Sequence, residues 1–312
     1  MNNTFPLKLL LAGLAATALL AMTGCSTGDS DRDAAPTAST PEQATEASAP
    51  AAGGDITLGY VEWDSCVAST SVVAVALEDA GYTVKMMSVS GAMMYAGLAS
   101  GDLDAIVCAW LPTTHQDYYA KTKDSLDTLD ANMKEAKLGL AVPDYVEIKS
   151  IPELADPQIA KQFENRIIGI DPGAGIMRLT HEVIKHYKLP ETLVEGSDAT
   201  MVGVLQDAIR QNKPVVVTSW TPHWMWAAWE LRYLDDPDGV YGEPDDILTL
   251  ARKGLQQEMP EAYGILDAFY LSGEDRGALM AASREAGANP KAVARKWVDE
   301  NPEKVSQWLK QP

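Results

Sequence analysis

Apolar residues follow two periods along this chain, and the switches between them mark out an alternating strand–helix order. Residues 56–61 form a short apolar run suited to a buried strand. Residues 67–80 change to helical spacing, with Val67, Val72, Val75 and Ala76 on one side, Asp79 outward and Gly81 following as a cap. Residues 83–89 predict a second strand, 93–100 a short helix closed by Gly101-Asp102, and 105–109 a third strand that runs into Trp110. Strand, helix, strand, helix, strand predicts a parallel sheet with right-handed crossovers.

A second cycle follows. Residues 137–142 read as extended up to Pro143, and 166–170 predict a strand. The turn Asp171-Pro172-Gly173-Ala174-Gly175 then opens a helix to about Tyr187. Residues 198–211 form an amphipathic helix through Met201, Val202, Leu205 and Ile209, and 213–219 a strand that delivers Trp220. After the turn-rich stretch 235–239 comes a possible strand at 247–251, then a helical tail from Pro260 with breaks at Gly273, Gly287 and Pro290. Two βα units and a tail predict an α/β protein of two lobes with a cleft between them. Lobe 1 takes residues 55–142 and about 235–312, lobe 2 takes 143–234, and the crossings fall near 140–143 and 220–234.

The ends change the picture. Residues 1–24 read as an export signal, with Lys8 as the positive flank and an apolar run from Leu9 to Met22 that is short for a membrane span. Met22-Thr23-Gly24-Cys25 resembles a bacterial lipobox, which predicts lipidation at Cys25 and a membrane anchor; an ordinary signal peptide is the rival. Residues 25–54, rich in Ala, Ser, Thr, Pro and Gly, read as a flexible tether. Against 25 Lys and Arg stand 44 Asp and Glu, a net charge of −19. That balance argues against nucleic acid, which wants a basic stripe, and suits a solvated acidic surface or a high-salt medium that screens it. Cys66 and Cys108 remain. Export permits a disulfide if their Cα atoms lie within about 7 Å, but two buried free thiols are the default expectation.

Three tryptophan motifs carry the chemistry. Tyr60-Val61-Glu62-Trp63-Asp64, Ala109-Trp110-Leu111-Pro112-Thr113-Thr114-His115 and Ser219-Trp220-Thr221-Pro222-His223-Trp224 each put a Trp at or beyond the end of a strand. Ligands of open α/β sheets bind there, and converging indole faces suit a desolvated organic cation. Core packing is the ordinary alternative for any one of them. No phosphate-loop or dinucleotide signature is present, and His115, His181, His186 and His223 lack metal-ligand spacing, so neither cofactor nor metal is expected.

These segments resemble the glycine betaine-binding proteins of osmoprotectant ABC importers. So do Gly169-Ile170-Asp171-Pro172-Gly173-Ala174-Gly175-Ile176-Met177, Tyr233-Leu234-Asp235-Asp236-Pro237 and Arg252-Lys253-Gly254, and the resemblance spans residues 56–309. It implies a two-lobed periplasmic-binding-protein fold of type II with the ligand in the inter-lobe cleft. It implies a quaternary ammonium held between Trp63, Trp110 and Trp220. The ligand's carboxylate would meet the N–H groups of Gly175 and Ile176 and the side chain of His115, whose charge is expected to matter near neutral pH. Delivery to an ABC permease with its ATPase subunit follows from the same resemblance, and an enzyme is not expected. Glu62 and Asp64 are expected to hold their loop, Trp224, Trp226 and Trp229 to pack beneath the site, and Trp297 and Trp308 to be tail core.

Two alternatives stand beside this. One is a binding protein for choline, carnitine or proline betaine; choline lacks a carboxylate and would leave the Gly175 turn and His115 redundant. The remote one is a secreted hydrolase with Trp platforms, which needs a paired acid and base that the chain does not offer in an evident form.

Overall fold

This computed structural model describes residues 53–285 and 289–310. The expected export signal, Cys25, the expected tether up to Ala52 and the predicted break at Gly287 lie outside the described residues. No helix among the described residues is long and apolar enough to cross a membrane.

Among the described residues nine strands alternate with helices: β1 (Gly54–Tyr60), β2 (Tyr82–Ser88), β3 (Ala105–Leu111), β4 (Leu126–Pro143), β5 (Arg166–Ile168), β6 (Thr192–Val194), β7 (Val217–Thr221), β8 (Leu231–Tyr233) and β9 (Asp245–Arg252). Their order is β2-β1-β3-β9-β4-β7-β5-β6, with β8 also on β4. The expected parallel pairing holds within each βα unit, β1 with β2 and β3, and β5 with β7, while β6, a strand the sequence did not predict, also pairs parallel with β5. The sheet as a whole is mixed, because β9 and β4 insert antiparallel between the two parallel groups.

β4 is the member that sequence reading truncated. It runs for 18 residues, and only its second part was expected. Its first part pairs with β9 through register shifts at three places, including one between Met133 and Ala136, and Glu135 takes φ 59°. Each bulge turns the following side chain to the other face, so the period-two signal is lost although the strand exists.

β4 also changes partners. Ala136 pairs with Asp245 of β9, and the next residue, Lys137, pairs with Thr221 of β7. The sheet therefore has two arms that share one strand. β3 ends beside the start of β9, with Leu111 opposite Asp246. β7 ends at Thr221, opposite Lys137. The carboxyl ends of strands from both arms thus converge on the middle of β4, which is where ligand sites of α/β sheets form.

Helices cover each arm. Helix Asp64–Asp79 is buried nearly all round, from Ser65 through Leu77, because helices Gly273–Glu285 and Pro290–Glu300 of the tail pack over it. In the second arm, helix Asp198–Arg210 starts at Ser197, whose hydroxyl accepts the Thr200 N–H, and it buries Met201, Val202 and Leu205. Cys66 and Cys108 are bonded, with Cα atoms 5.4 Å apart. The default of two free thiols is corrected: the first turn of helix Asp64–Asp79 crosses β3 closely enough for a bridge, a tertiary proximity that spacing does not reveal.

Candidate ligand-binding site

One small cavity, of about 30 Å³, lies at the convergence of the strand ends. Trp63, Trp110, Trp220, His115, Gly175 and Ile176 all line it. Every residue singled out in the body of the chain as a ligand contact is therefore brought together, from both arms. The three indoles are 4–6% exposed, so their faces are largely withdrawn from solvent.

Each tryptophan is set by its element. Trp63 caps helix Asp64–Asp79 in extended conformation, and its Nε1–H donates to Asp171 Oδ2 at 2.8 Å. Trp110 is the penultimate residue of β3, opposite Ile247. Trp220 lies on β7 opposite Leu138, which also lines the cavity, and its carbonyl accepts the Trp226 Nε1–H at 3.0 Å. Trp226 thus braces the site as expected of a packing residue.

The other wall is main chain. Helix Gly175–Tyr187 begins here without a side-chain cap. Its first N–H groups, those of Gly175 and Ile176, have no intrahelical acceptor and sit at the positive end of the helix, an arrangement that attracts anions. Gly175 is required for closeness: a Cβ there would lie 2.2 Å from the Thr114 carbonyl oxygen. Thr114 itself is held because the fully buried Asp245 carboxylate accepts the N–H groups of Thr113 and Thr114 at 2.7 and 2.9 Å.

His115 follows on this loop, 1% exposed. Its Nδ1 accepts the Trp110 N–H at 3.2 Å and lies 3.2 Å from the Tyr95 hydroxyl. An accepting Nδ1 fixes the proton on Nε2, so the imidazole is a donor while neutral. Burial, and after it the Arg178 cation, hold its pKa down at about 3 from the usual 6.5. The expectation that its charge matters near pH 7 is corrected: its donor capacity does not depend on being an imidazolium.

Several bonds join the arms around the cavity. Trp63 reaches Asp171, Tyr118 Oη donates to the Gly173 carbonyl at 2.5 Å, and Arg178 donates to the Thr113 carbonyl at 2.9 Å. Asp64 N–H donates to Asp198 Oδ2 at 3.0 Å, and Trp224 Nε1–H donates to Asp64 Oδ2 at 2.7 Å. Asp64 holds its loop to the opposite arm rather than by accepting backbone N–H groups, while Glu62 is exposed. Burial first, then the Asp198 carboxylate, push the Asp64 carboxyl above its usual range.

Asp64, Asp198 and His223 bring potential metal-ligand atoms within 4.8 Å of one another, which sequence spacing did not reveal. His223 Nδ1 accepts the Met225 N–H, so Nε2 carries the proton and faces Asp198 Oδ1 at 3.2 Å. In that tautomer neither ring nitrogen has a free lone pair for a cation. Sequence reading also missed Tyr95, Tyr118, Arg178, Asp198 and Asp245. None sits in a Trp motif, and Asp245 lies 131 residues from the loop it holds.

The family model described as the substrate binding domain of the ABC-type glycine betaine transport system matches residues 54–300. Over 160 residues the chain is 42% identical to the glycine betaine/carnitine transport binding protein GbuC of Listeria monocytogenes, covering 50% of this chain and 53% of that protein. The chain thus spans about half the length of that curated relative. Lactococcal OpuAC, solved in its closed-liganded conformation complexed with glycine betaine, is similar at 37% identity and a TM-score of 0.78, covering 82% of this chain and 100% of that one. The glycine/betaine/L-proline-binding protein ProX of Borrelia burgdorferi is similar at 35% identity and a TM-score of 0.79, covering 83% and 97%. The fold is that of the two-lobed periplasmic binding proteins.

Proposed function

We propose, since this chain belongs to the family of substrate-binding domains of ABC-type glycine betaine transport systems, that it captures glycine betaine between its two lobes and hands it to a membrane permease driven by an ATPase. One observation carries the reading: three indoles, a neutral histidine and a helix N-terminus line a single cavity. A trimethylammonium group has no N–H to donate. Its charge is spread over methyl groups, and each desolvated indole face stabilises it by about 2 kcal/mol. The carboxylate, at the other end, takes the N–H groups of Gly175 and Ile176 and the Nε2–H of His115, which are charge-assisted bonds. The donor wall favours a zwitterion over choline, which would leave those N–H groups facing no acceptor.

The lobes of this reading are the two arms of the sheet. The first takes residues 53–136 and 245–310, the second 137–244, with the hinge in β4 beside Glu135 and in the return segment between β8 and β9. Trp63, Trp110 and His115 then belong to the first lobe, and Gly175, Ile176 and Trp220 to the second, so only the closed form completes either wall. Ligand binding shifts the population toward closure by its differential affinity for that form. The proposal includes export and a lipid anchor at Cys25, which keeps the body beside its permease.

Calorimetry with glycine betaine, proline betaine, carnitine and choline tests the reading. Glycine betaine is expected to bind and choline to bind far more weakly. Choline binding without glycine betaine binding would overturn it.

A further inference from the structure

We propose that Trp224 is a closure knob: an indole of the second lobe that seats in a socket of the first lobe, outside the ligand cavity, and holds the ligand-bound protein shut. This rests on the ligand reading above and deepens it. Trp224 does not line the cavity, yet it is only 6% exposed. The expectation that it simply packs beneath the site misses what it touches. Its Nε1–H donates to Asp64 Oδ2 at 2.7 Å, and the Arg284 guanidinium carbon lies 3.9 Å from its ring centre. Both socket residues belong to the first lobe. Asp64 opens helix Asp64–Asp79, and Arg284 lies in the last turn of helix Gly273–Glu285, which packs against it.

The knob has a firm base in its own lobe. Trp224 meets Trp229 at 5.2 Å between ring centres and His223 at 5.5 Å. His223 in turn bonds Asp198 at 3.2 Å, and the other oxygen of Asp198 accepts the Asp64 N–H at 3.0 Å. Asp64 is therefore gripped twice by the second lobe, once through its main chain and once through its carboxylate. The Trp224 bond is charge-assisted and partly buried, and the Arg284 contact adds a cation over an indole. These contacts join residues of different lobes and are lost when the cleft opens. They stabilise only the closed form, so they raise the apparent affinity for ligand without touching it.

The test uses the full chain with glycine betaine, read by calorimetry, stopped-flow tryptophan fluorescence and small-angle scattering. Trp224→Phe keeps a ring under Arg284 but removes the N–H; Asp64→Ala removes the acceptor. Each is expected to weaken binding about tenfold, mainly through a faster off-rate. The double variant should be little weaker than either single one, because both remove the same bond. Arg284→Gln, at an exposed position, should weaken binding about two- to fivefold, and Arg284→Lys should recover most of that loss. The melting temperature of the ligand-free protein should not change, while the ligand-induced rise should shrink. Wild-type affinity and off-rate in both Asp64→Ala and Arg284→Gln would overturn the knob while leaving the ligand reading intact. An equal fall of the melting temperature with and without ligand would make these contacts ordinary packing and also overturn it. A wild-type protein that binds none of the betaines removes the ligand reading, and the knob with it.

Discussion

The two walls of the cavity are built by different means. The aromatic wall is three side chains, Trp63, Trp110 and Trp220, each delivered by the end of a different strand. The donor wall is mostly main chain, the first turn of helix Gly175–Tyr187, with the His115 side chain beside it. The contrast predicts different responses to damage. An aromatic box that loses one face keeps two. A helix terminus seated against Thr114 has no spare volume, because the neighbour at Gly175 is backbone and cannot rotate away.

The largest effect is therefore expected from the smallest change. Gly175→Ala puts a methyl into the Thr114 carbonyl, so the turn shifts or the cleft stays ajar, and affinity should fall at least a hundredfold, about 2.7 kcal/mol. A loss of less than about fivefold by calorimetry would mean that the donor wall is not where the ligand's anion sits. Next comes Trp110→Ala, expected to weaken binding about tenfold while far-UV circular dichroism stays unchanged. If it weakens binding more than Gly175→Ala, the ranking of the two walls is inverted.

His115→Ala is expected to cost up to about tenfold as well, and pH sharpens what that means. With its pKa at about 3, His115 is neutral at pH 6 to 8, so the affinity of the wild-type protein should show no step there that this variant removes. The stability effect has a definite sign. Since the folded value is below the unfolded 6.5, the unfolded chain binds the proton first as pH falls. The stability associated with His115 is complete above about pH 6.5 and is lost progressively as pH drops toward 3. Denaturant unfolding of wild type should therefore weaken more steeply below pH 6.5 than that of His115→Gln; parallel curves would mean that the imidazole is not buried neutral.

The smallest effect on binding is expected from reducing the Cys66–Cys108 bond. The bond lies within the first lobe, three residues after Trp63 and two before Trp110, and leaves the donor wall untouched. Reduction should lower stability by about 2–4 kcal/mol and change affinity by less than about threefold. A large loss of affinity would show that the aromatic wall depends on the staple for its geometry.

The same contrast explains what could be read before folding. Tryptophans at strand ends are visible as residue types in place, and so is a Gly-rich turn between a strand and a helix. The strand order was legible as far as apolar runs kept their period, through β1, β2, β3, β5 and β7. It failed at the first part of β4, where bulges scramble the alternation, and at β6 and β8, three-residue strands with no period to detect. The supports of the site were illegible for another reason. Asp245 and Asp198 are ordinary acids in sequence, and their roles exist only against a loop or a helix end more than a hundred residues away.

By itself, the sequence determined the alternating α/β order, the acidic balance and the residue types that line the cavity, since each is a property of local pattern or side-chain chemistry. Tertiary structure alone decided that β4 serves both arms, that Cys66 meets Cys108, that His115 is a neutral donor and that Trp224 lies under Arg284. Those outcomes depend on distance and desolvation, and both arise only when distant segments pack together.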